Sequence, residues 1–561
     1  MIPMYEKTIK NLYEWLSKLQ VKEKGYDYGG IYDPIDKRVF GEHYSATHFA
    51  LLSSVLFRMT NDLEYLNSAK LAINFHIRTS KDEYKYGDWG YHWEFNNYAF
   101  LETYNLLHES LSSEEREEWE TSIRSWKSTM SHVTNWLAMS AYSYLLRYKL
   151  FGSLSDYLRY RKDIFHVKRA QLKDGCFEDV RGESDPIQYH VFTLAIVHRI
   201  YQVTKNNNLK KSFLKGLDYF KYFVDPDGDF NFKGRGQEQI FGYGAAIYVL
   251  EAAKNLDSKN RGEYQYLLNR VYEYLLEFVN EDGHFPLVLN THSDSEKMGW
   301  YDYHHLTVYN AFLGAWLALS SMISRNDTVA EQKKYDAVKL FKPSKTLIVR
   351  SPSYYAVFSG GGSRYLSDCG LSPHHIWVKG AGWFLPSPGG PSPDRYGKIN
   401  RVVHVEKNFF APIAKDPRGF WITPALKKGI ITEIDNKNYV ISLNYGHFDV
   451  KRSISFGTDK ISFKDRFHFK TDERYQEFRY FNMPVSTEKY RMDIHENIVE
   501  FRSKQSGTMV VLDITNLHDI EILEKIKTSR GYARILCIRD LEKRFKKGEN
   551  KEMYVSLRFL V

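Results

Sequence analysis

Cysteine is nearly absent from this chain. The three among 561 residues, Cys176, Cys369 and Cys537, lie far apart, which excludes a disulfide framework and a CxxC metal pattern. Proline is sparse too, with 16 residues, and 43% of the chain is hydrophobic; a disordered or low-complexity protein is excluded. No uninterrupted apolar run reaches membrane-spanning length. The opening Met1-Ile-Pro-Met-Tyr-Glu-Lys lacks the apolar core and small-residue cleavage site of an export signal. The sequence as it stands reads as cytoplasmic, or as secreted or periplasmic if such a segment has been trimmed from it. It has no long basic tail and no nucleic-acid motif, so neither nucleic acid nor a membrane is an expected partner.

What is present in excess is positive charge and aromatic surface. The formal net charge of +9 suits a polyanionic partner. Aromatic residues make up 16% of the chain; they can stack on sugar rings, but core packing is the more ordinary use for them.

The first three-fifths carries helical periodicity, as in Leu63, Leu66, Ala69, Leu71 and Phe75. The pattern predicts twelve helices near 5–20, 44–60, 62–79, 94–111, 113–130, 134–150, 154–172, 187–205, 208–224, 237–255, 260–280 and 304–324. Asn61-Asp-Leu-Glu64 and Ser112-Ser-Glu-Glu115 both fit a capping box. Alternate helices open on an aromatic and polar cluster: His43-Tyr44 with His48, Trp89 to Glu94, Thr134-Asn135-Trp136, Gln188-Tyr189-His190, Arg235 to Gln239, and Tyr301 to His305. The helices between them are charged and amphipathic. This alternation predicts an (α/α) toroid of helix hairpins in which inner helices point their N-termini at one cleft. Beyond a polar connector at 326–345 the pattern changes to short runs of period two separated by Gly, Asn and Asp turns. The fold class is therefore multidomain α+β, with a toroid at 1–325 and an antiparallel β-sandwich at 346–561.

One segment stands out, Asp174-Gly-Cys-Phe-Glu-Asp-Val-Arg-Gly-Glu183-Ser184-Asp-Pro-Ile-Gln-Tyr189-His190, placed just before an apolar helix. It resembles the DG…E-S…YH signature of the heparinase II/III-like polysaccharide lyases, and of alginate lyases of the same architecture. Toroid followed by sandwich is that family's layout. The resemblance implies β-elimination on a uronic-acid-containing glycan, giving a C4–C5 unsaturated product, with an acidic polysaccharide or oligosaccharide as partner. It implies Tyr189 as a catalytic residue and Asn135, one repeat earlier, as the neutraliser of the substrate carboxylate; Trp136 stands where relatives often have His. Ser372-Pro-His374-His375-Ile-Trp377 is similar to the family's His-rich strand, and Tyr396 with Asn400-Arg401-Val-Val-His404 to its Tyr…Arg…His segment. His374 or His375 would then assist proton transfer, Tyr396 would act as acid and Arg401 would supply charge. His190, Glu183, Arg235, Gln237, Glu238, Tyr301, Tyr303, His304, His305 and Trp93 are the expected cleft lining. Some relatives hold a structural divalent metal through a His-x-His-x-Asp arrangement and a later His. Here Ile376-Trp377-Val378 replaces the acid and only His404 answers to the later set, so no metal and no other cofactor is expected. Two alternatives stay open. A toroid glycoside hydrolase acting on uronyl sugars would use paired carboxylates, drawn from Asp88 with Glu94, Glu183 with Asp185, or Asp302. A carbohydrate-binding protein would have kept the cleft without the chemistry.

Overall fold

The computed structural model describes residues 5–82, 89–90, 92–129, 131–182, 186–296, 305–325, 330–332, 337–360, 371–385, 410–424, 429–515, 519–528, 530–540 and 543–561. Twelve α-helices occur among them: α1 Glu6–Leu19, α2 Ser45–Thr60, α3 Leu63–Thr79, α4 His92–Leu107, α5 Ser113–Ser125, α6 Thr134–Phe151, α7 Leu154–Arg169, α8 Ile187–Thr204, α9 Asn207–Phe220, α10 Ile240–Leu256, α11 Arg261–Leu276 and α12 Leu306–Ile323. The cap chemistry is what the sequence required in one case and shared in the other. Ser112 and Glu115 make a reciprocal capping box on α5. At Asn61 and Asp62 the work is divided: Asn61 ends α2 in a left-handed conformation, φ 58°, while the Asp62 side chain accepts from Glu64 N and starts α3.

Six helices form a closed inner ring in the order α2, α4, α6, α8, α10, α12 and back to α2. Each has an outer partner; α3, α5, α7, α9 and α11 follow their own inner helices, and α1 packs against α12. Inner helices are apolar nearly all round because neighbours cover every side, while α5 buries only Trp119 and Ile123. The ring is filled by aromatic rings: Phe241 stacks on Phe312 at 4.2 Å, and Phe192 meets both, at 5.0 and 5.4 Å. A buried ion pair ties three inner helices together, as Arg199 of α8 engages Glu102 of α4, which also accepts from Tyr142 of α6. Helix α12 is long and apolar enough to cross a membrane by composition, and most of it is buried inside this ring.

The β-strands after residue 337 are all antiparallel and form an eight-stranded sheet, two five-stranded sheets and a two-stranded ribbon. Side chains from the larger sheets, among them Leu347, Ile376, Tyr439, Phe463, Phe478 and Leu536, share one hydrophobic core, which is sandwich packing.

The chain divides into two compact units, and the division differs from the expected boundaries. The first comprises Met1–Lys221, Gln239–Leu289 and His304–Lys333; the second takes Tyr222–Glu238 and Asn290–Tyr303 together with everything from Lys334 on. The strand Val338–Phe341 already lies within the stretch read as connector. Helix α9 stops at Phe220 rather than near 224, and α10 starts at Ile240 rather than 237. Asp225-Pro226-Asp-Gly228 makes the turn that prevents continuation, with Gly228 at φ 105°, and Gly234, Gly236 and Glu238 each take positive φ. Helix α5 likewise ends at Ser125, leaving 126–129 outside any helix or strand.

Candidate active site

In the helical unit, the inner-helix N-termini converge at one end. The His43 ring lies 4.0 Å from His92 and 4.6 Å from His305, and His305 stacks on Phe40 at 3.5 Å. His305 Nδ1 is held by Asp36 Oδ2 at 2.6 Å, while Asp33 Oδ2 accepts from both Thr307 N and Oγ1 at the start of α12. On the facing helices, Gln188 Nε2 donates to Gln239 Oε1 at 3.1 Å, and the same oxygen accepts from Tyr309 at 3.3 Å. Tyr189 sits in the first turn of α8, buried, with its ring 5.8 Å from Phe241. Trp93 stacks on Trp89 at 4.4 Å.

Asn135 is fully buried at the start of α6. Its Nδ2 donates to Asp179 Oδ1 at 2.7 Å, and the Asp179 carbonyl accepts from Thr134 N. A flipped amide would turn oxygen against oxygen, so Asp179 fixes which way the amide points. Asn135 Oδ1 has no hydrogen-bond partner among the described residues. Nearby, a groove of about 730 Å³ opens over Thr134 and Trp136, with Ser140 and Asp163 in its wall. Arg159, Lys162, His166, Arg169 and Arg181 rim it and are exposed. Glu94, in the first turn of α4, accepts from Ser128 Oγ and Thr129 N, both at 2.8 Å. Burial pushes its carboxyl up to about 8 despite those donors.

His190 departs from the expected lining role. Its Nδ1 accepts from Phe177 N at 2.9 Å, so Nε2 carries the proton and donates to Gly216 O at 3.1 Å. Both nitrogens are spent on backbone, and the ring fixes the signature loop against α9.

The second unit contains a different cluster. Asp225 Oδ1 accepts from the backbone N of Asp227, Gly228 and Asp229, and its Oδ2 accepts from His375 Nε2 at 2.9 Å. Arg530 donates through Nε to Glu238 Oε1 at 2.8 Å, through Nη2 to Asp229 Oδ2, and through Nη1 to His375 Nδ1 at 3.2 Å. Phe232 stacks on the His375 ring at 4.2 Å. Since a guanidinium only donates, His375 Nδ1 must be an acceptor and the ring neutral. Burial and the adjacent Arg530 charge hold His375 well below the ordinary His range. Burial, then Asp229 beside it, pushes Asp225 up to about 8, and burial raises Glu238 well above the carboxylate range.

The two histidines expected to assist proton transfer have different surroundings. His375 is fully buried with both nitrogens engaged. His374 is also buried and held down to about 3 by burial. The strand Pro373–Val378 pairs Val357 with His375 and Phe358 with Pro373, so His374 is the extra residue of a β-bulge. Simple alternation of faces therefore fails at this pair. Asp225, Asp229 and His375 could present three metal-ligand atoms within 4.8 Å of one another. The Arg530 guanidinium already donates to Asp229 Oδ2 and His375 Nδ1, so a cation on those atoms would compete with it.

Of the other predicted residues, Arg235, Gln237 and Glu238 are buried in the second unit, and His305 in the first is partly exposed. Glu183, Tyr301, Tyr303, His304, Tyr396, Arg401 and His404 lie outside the described residues, as do Asp88, Asp185 and Asp302. Asp179, Asp225, Asp229 and Arg530 were not anticipated. Asp225 to Asp229 lie in a Pro- and Gly-containing turn, and Arg530 carries no sequence signal beyond its charge.

No family model matches the sequence, and no curated protein matches it. Solved structures share its fold. Heparinase III superposes with a TM-score of 0.60 at 11% identity, over 96% of this chain and 80% of that one. Streptomyces coelicolor A3 chondroitin AC lyase, in complex with chondroitin sulphate, gives 0.60 at 11%, over 98% and 78%. Xanthan lyase from Paenibacillus gives 0.61 at 9%, over 99% of this chain and only 57% of its own. All three combine a helical toroid with a β-sandwich, and at such identities the likeness is one of architecture.

Proposed function

We propose that this chain is a polysaccharide lyase that cleaves a uronic-acid-containing glycan by β-elimination. One observation carries the reading: on a fold shared with three polysaccharide lyases, Tyr189, Asn135 and a cation-rimmed groove all belong to the same, N-terminal end of the inner ring. The chemistry asks for these parts. The C5 proton is weakly acidic because the neighbouring carboxylate is already negative, so that carboxylate must be hydrogen-bonded or faced with positive charge. In this reading Asn135 and the rim cations supply that, and Tyr189 serves proton transfer. The C5–H electron pair becomes the C4=C5 double bond, the C4–O bond breaks, and the leaving oxygen is protonated. Sulfation and uronic-acid identity would be set by how the rim cations are spaced.

The test is a panel of acidic glycans followed by ultraviolet absorbance of the unsaturated product, repeated in heavy-oxygen water. Product with a double bond and no solvent oxygen supports elimination; solvent oxygen at the cleaved bond establishes hydrolysis instead. Glu94 gives the hydrolase reading its one specific support, because a buried carboxyl raised to about 8 is suited to general acid catalysis.

A further inference from the structure

A second groove lies at the other end of α6, between α7 and α9. Its volume is about 430 Å³. It touches Val203 and Thr204, fourteen residues along α8 from Tyr189, which places it about 21 Å away along the helix axis at 1.5 Å per residue. Leu145, Ile164 and Leu209 form its apolar floor. Lys149, Arg161 and Lys168 stand exposed around it, and no acidic residue lines it. Tyr148 and Tyr157 pack with ring centroids 5.1 Å apart, Arg161 donates to the Tyr157 hydroxyl at 2.9 Å, and the Phe165 ring is 55% exposed.

The charge is concentrated by folding, not by sequence. Helix α7 has two acids, and both are taken inward: Asp156 accepts from Arg147 and Asp163 from Ser140. The charged side chains left on its exposed surface are all basic. On the far side Asn206 and Leu209 line the groove, in a stretch, 205–215, that holds four lysines and no acid. The exposed Phe165 ring and the half-buried Tyr148 and Tyr157, beside cations, match a sugar polymer that carries negative charge, the rings stacking on sugar faces and the cations pairing with its acid groups.

We infer that this groove is a second binding site for an acidic glycan chain, holding polymer away from the reacting centre. The identity of the polyanion rests on the proposed lyase function. The site is read out by binding rather than turnover. In a full-length Tyr189→Phe background, Lys149→Gln/Arg161→Gln/Lys168→Gln is titrated with alginate, with chondroitin sulphate, with a neutral glucan and with duplex DNA. Three exposed ion pairs together predict about a tenfold loss of affinity for an acidic polymer, restored in Lys149→Arg/Arg161→Lys/Lys168→Arg. With Tyr189 intact, turnover of an acidic tetrasaccharide should stay unchanged while KM for the polymer rises. Unchanged polymer binding in the Gln variant, equal binding of the neutral glucan, or an equal loss for DNA would each overturn the site. Charge-dependent glycan binding without unsaturated product from any substrate would leave the site standing and remove the lyase reading.

Discussion

Asn135 and Tyr189 differ in what their neighbours leave them free to do. Asp179 holds the Asn135 amide so that only one Nδ2 hydrogen and the unpartnered Oδ1 remain. Asp179→Ala should therefore lower kcat more than it raises KM in steady-state assays, because the amide is present but no longer oriented toward the charge that develops in the transition state. Tyr189→Phe keeps the ring packed beside Phe241 and should fold normally while losing about a hundred- to ten-thousand-fold in turnover, the usual weight of an acid–base group. Retention of more than a third of the activity would make Tyr189 a packing residue. Arg530 has a structural weight of its own. Arg530→Ala leaves Asp229 and Glu238 buried without their partner, and denaturant unfolding should show a loss of about 3–5 kcal/mol. Arg530→Met with Asp229→Asn and Glu238→Gln should lose clearly less, since the uncompensated charge is gone. At this scale the sequence told which residues resemble a signature and little about their partners. Asp179 and Arg530 are ordinary charged residues until the fold brings them beside Asn135 and His375.

At the scale of elements, all twelve helices were legible because the outer ones keep a period of 3.6 and the inner ones run long and apolar between breakers, and capping chemistry marks where several begin. What could not be read was where helices end early. The residues at 126–129 keep a helix-compatible composition, yet Ser128 and Thr129 leave the helix to satisfy the buried Glu94. Likewise the bulge at His374 has no signature in an alternating run. The aromatic filling of the inner ring makes its own demand: Phe312 is fully buried and touches Phe241, Phe192 and Trp316. Phe312→Ala should cost about 3–5 kcal/mol in thermal or denaturant unfolding. Phe312→Leu should cost much less, because it leaves a smaller void.

For the whole molecule, charge and proton uptake set the working conditions. If the partner is an acidic polymer, KM should rise with salt as the screening length falls from about 10 Å at 0.1 M to about 3 Å at 1 M; a KM indifferent to salt favours a neutral substrate. Acid should unfold the helical unit through its buried histidines. Burial holds His48, His76, His92 and His198 down to about 3. Below the ordinary 6.5 the unfolded chain binds protons that the folded chain refuses, so stability is lost as pH falls from 6.5 toward 3. Each such histidine contributes a slope of about 1.4 kcal/mol per pH unit. Glu94 works the other way, its contribution being lost as pH rises from 4.5 through about 8. His76→Phe should flatten the acid side of a plot of melting temperature against pH; an unaltered slope would show that His76 does not titrate with unfolding. The toroid and sandwich were readable from the change of period, but the assignment of Tyr222–Glu238 to the second unit was not, because it depends on partners more than a hundred residues away.

The pairing of α1 with α12 has a consequence during synthesis. A ribosome delivers α1 and α2 first, yet the surfaces that receive them are made only when residues 306–323 emerge. Until then the nascent arc has two raw ends, apolar and in search of a neighbour. An arc of this kind can accept the wrong end from another copy, which would exchange helices between chains. Translation rate, holding chaperones and protein concentration should therefore govern the yield of this chain more strongly than its final stability does.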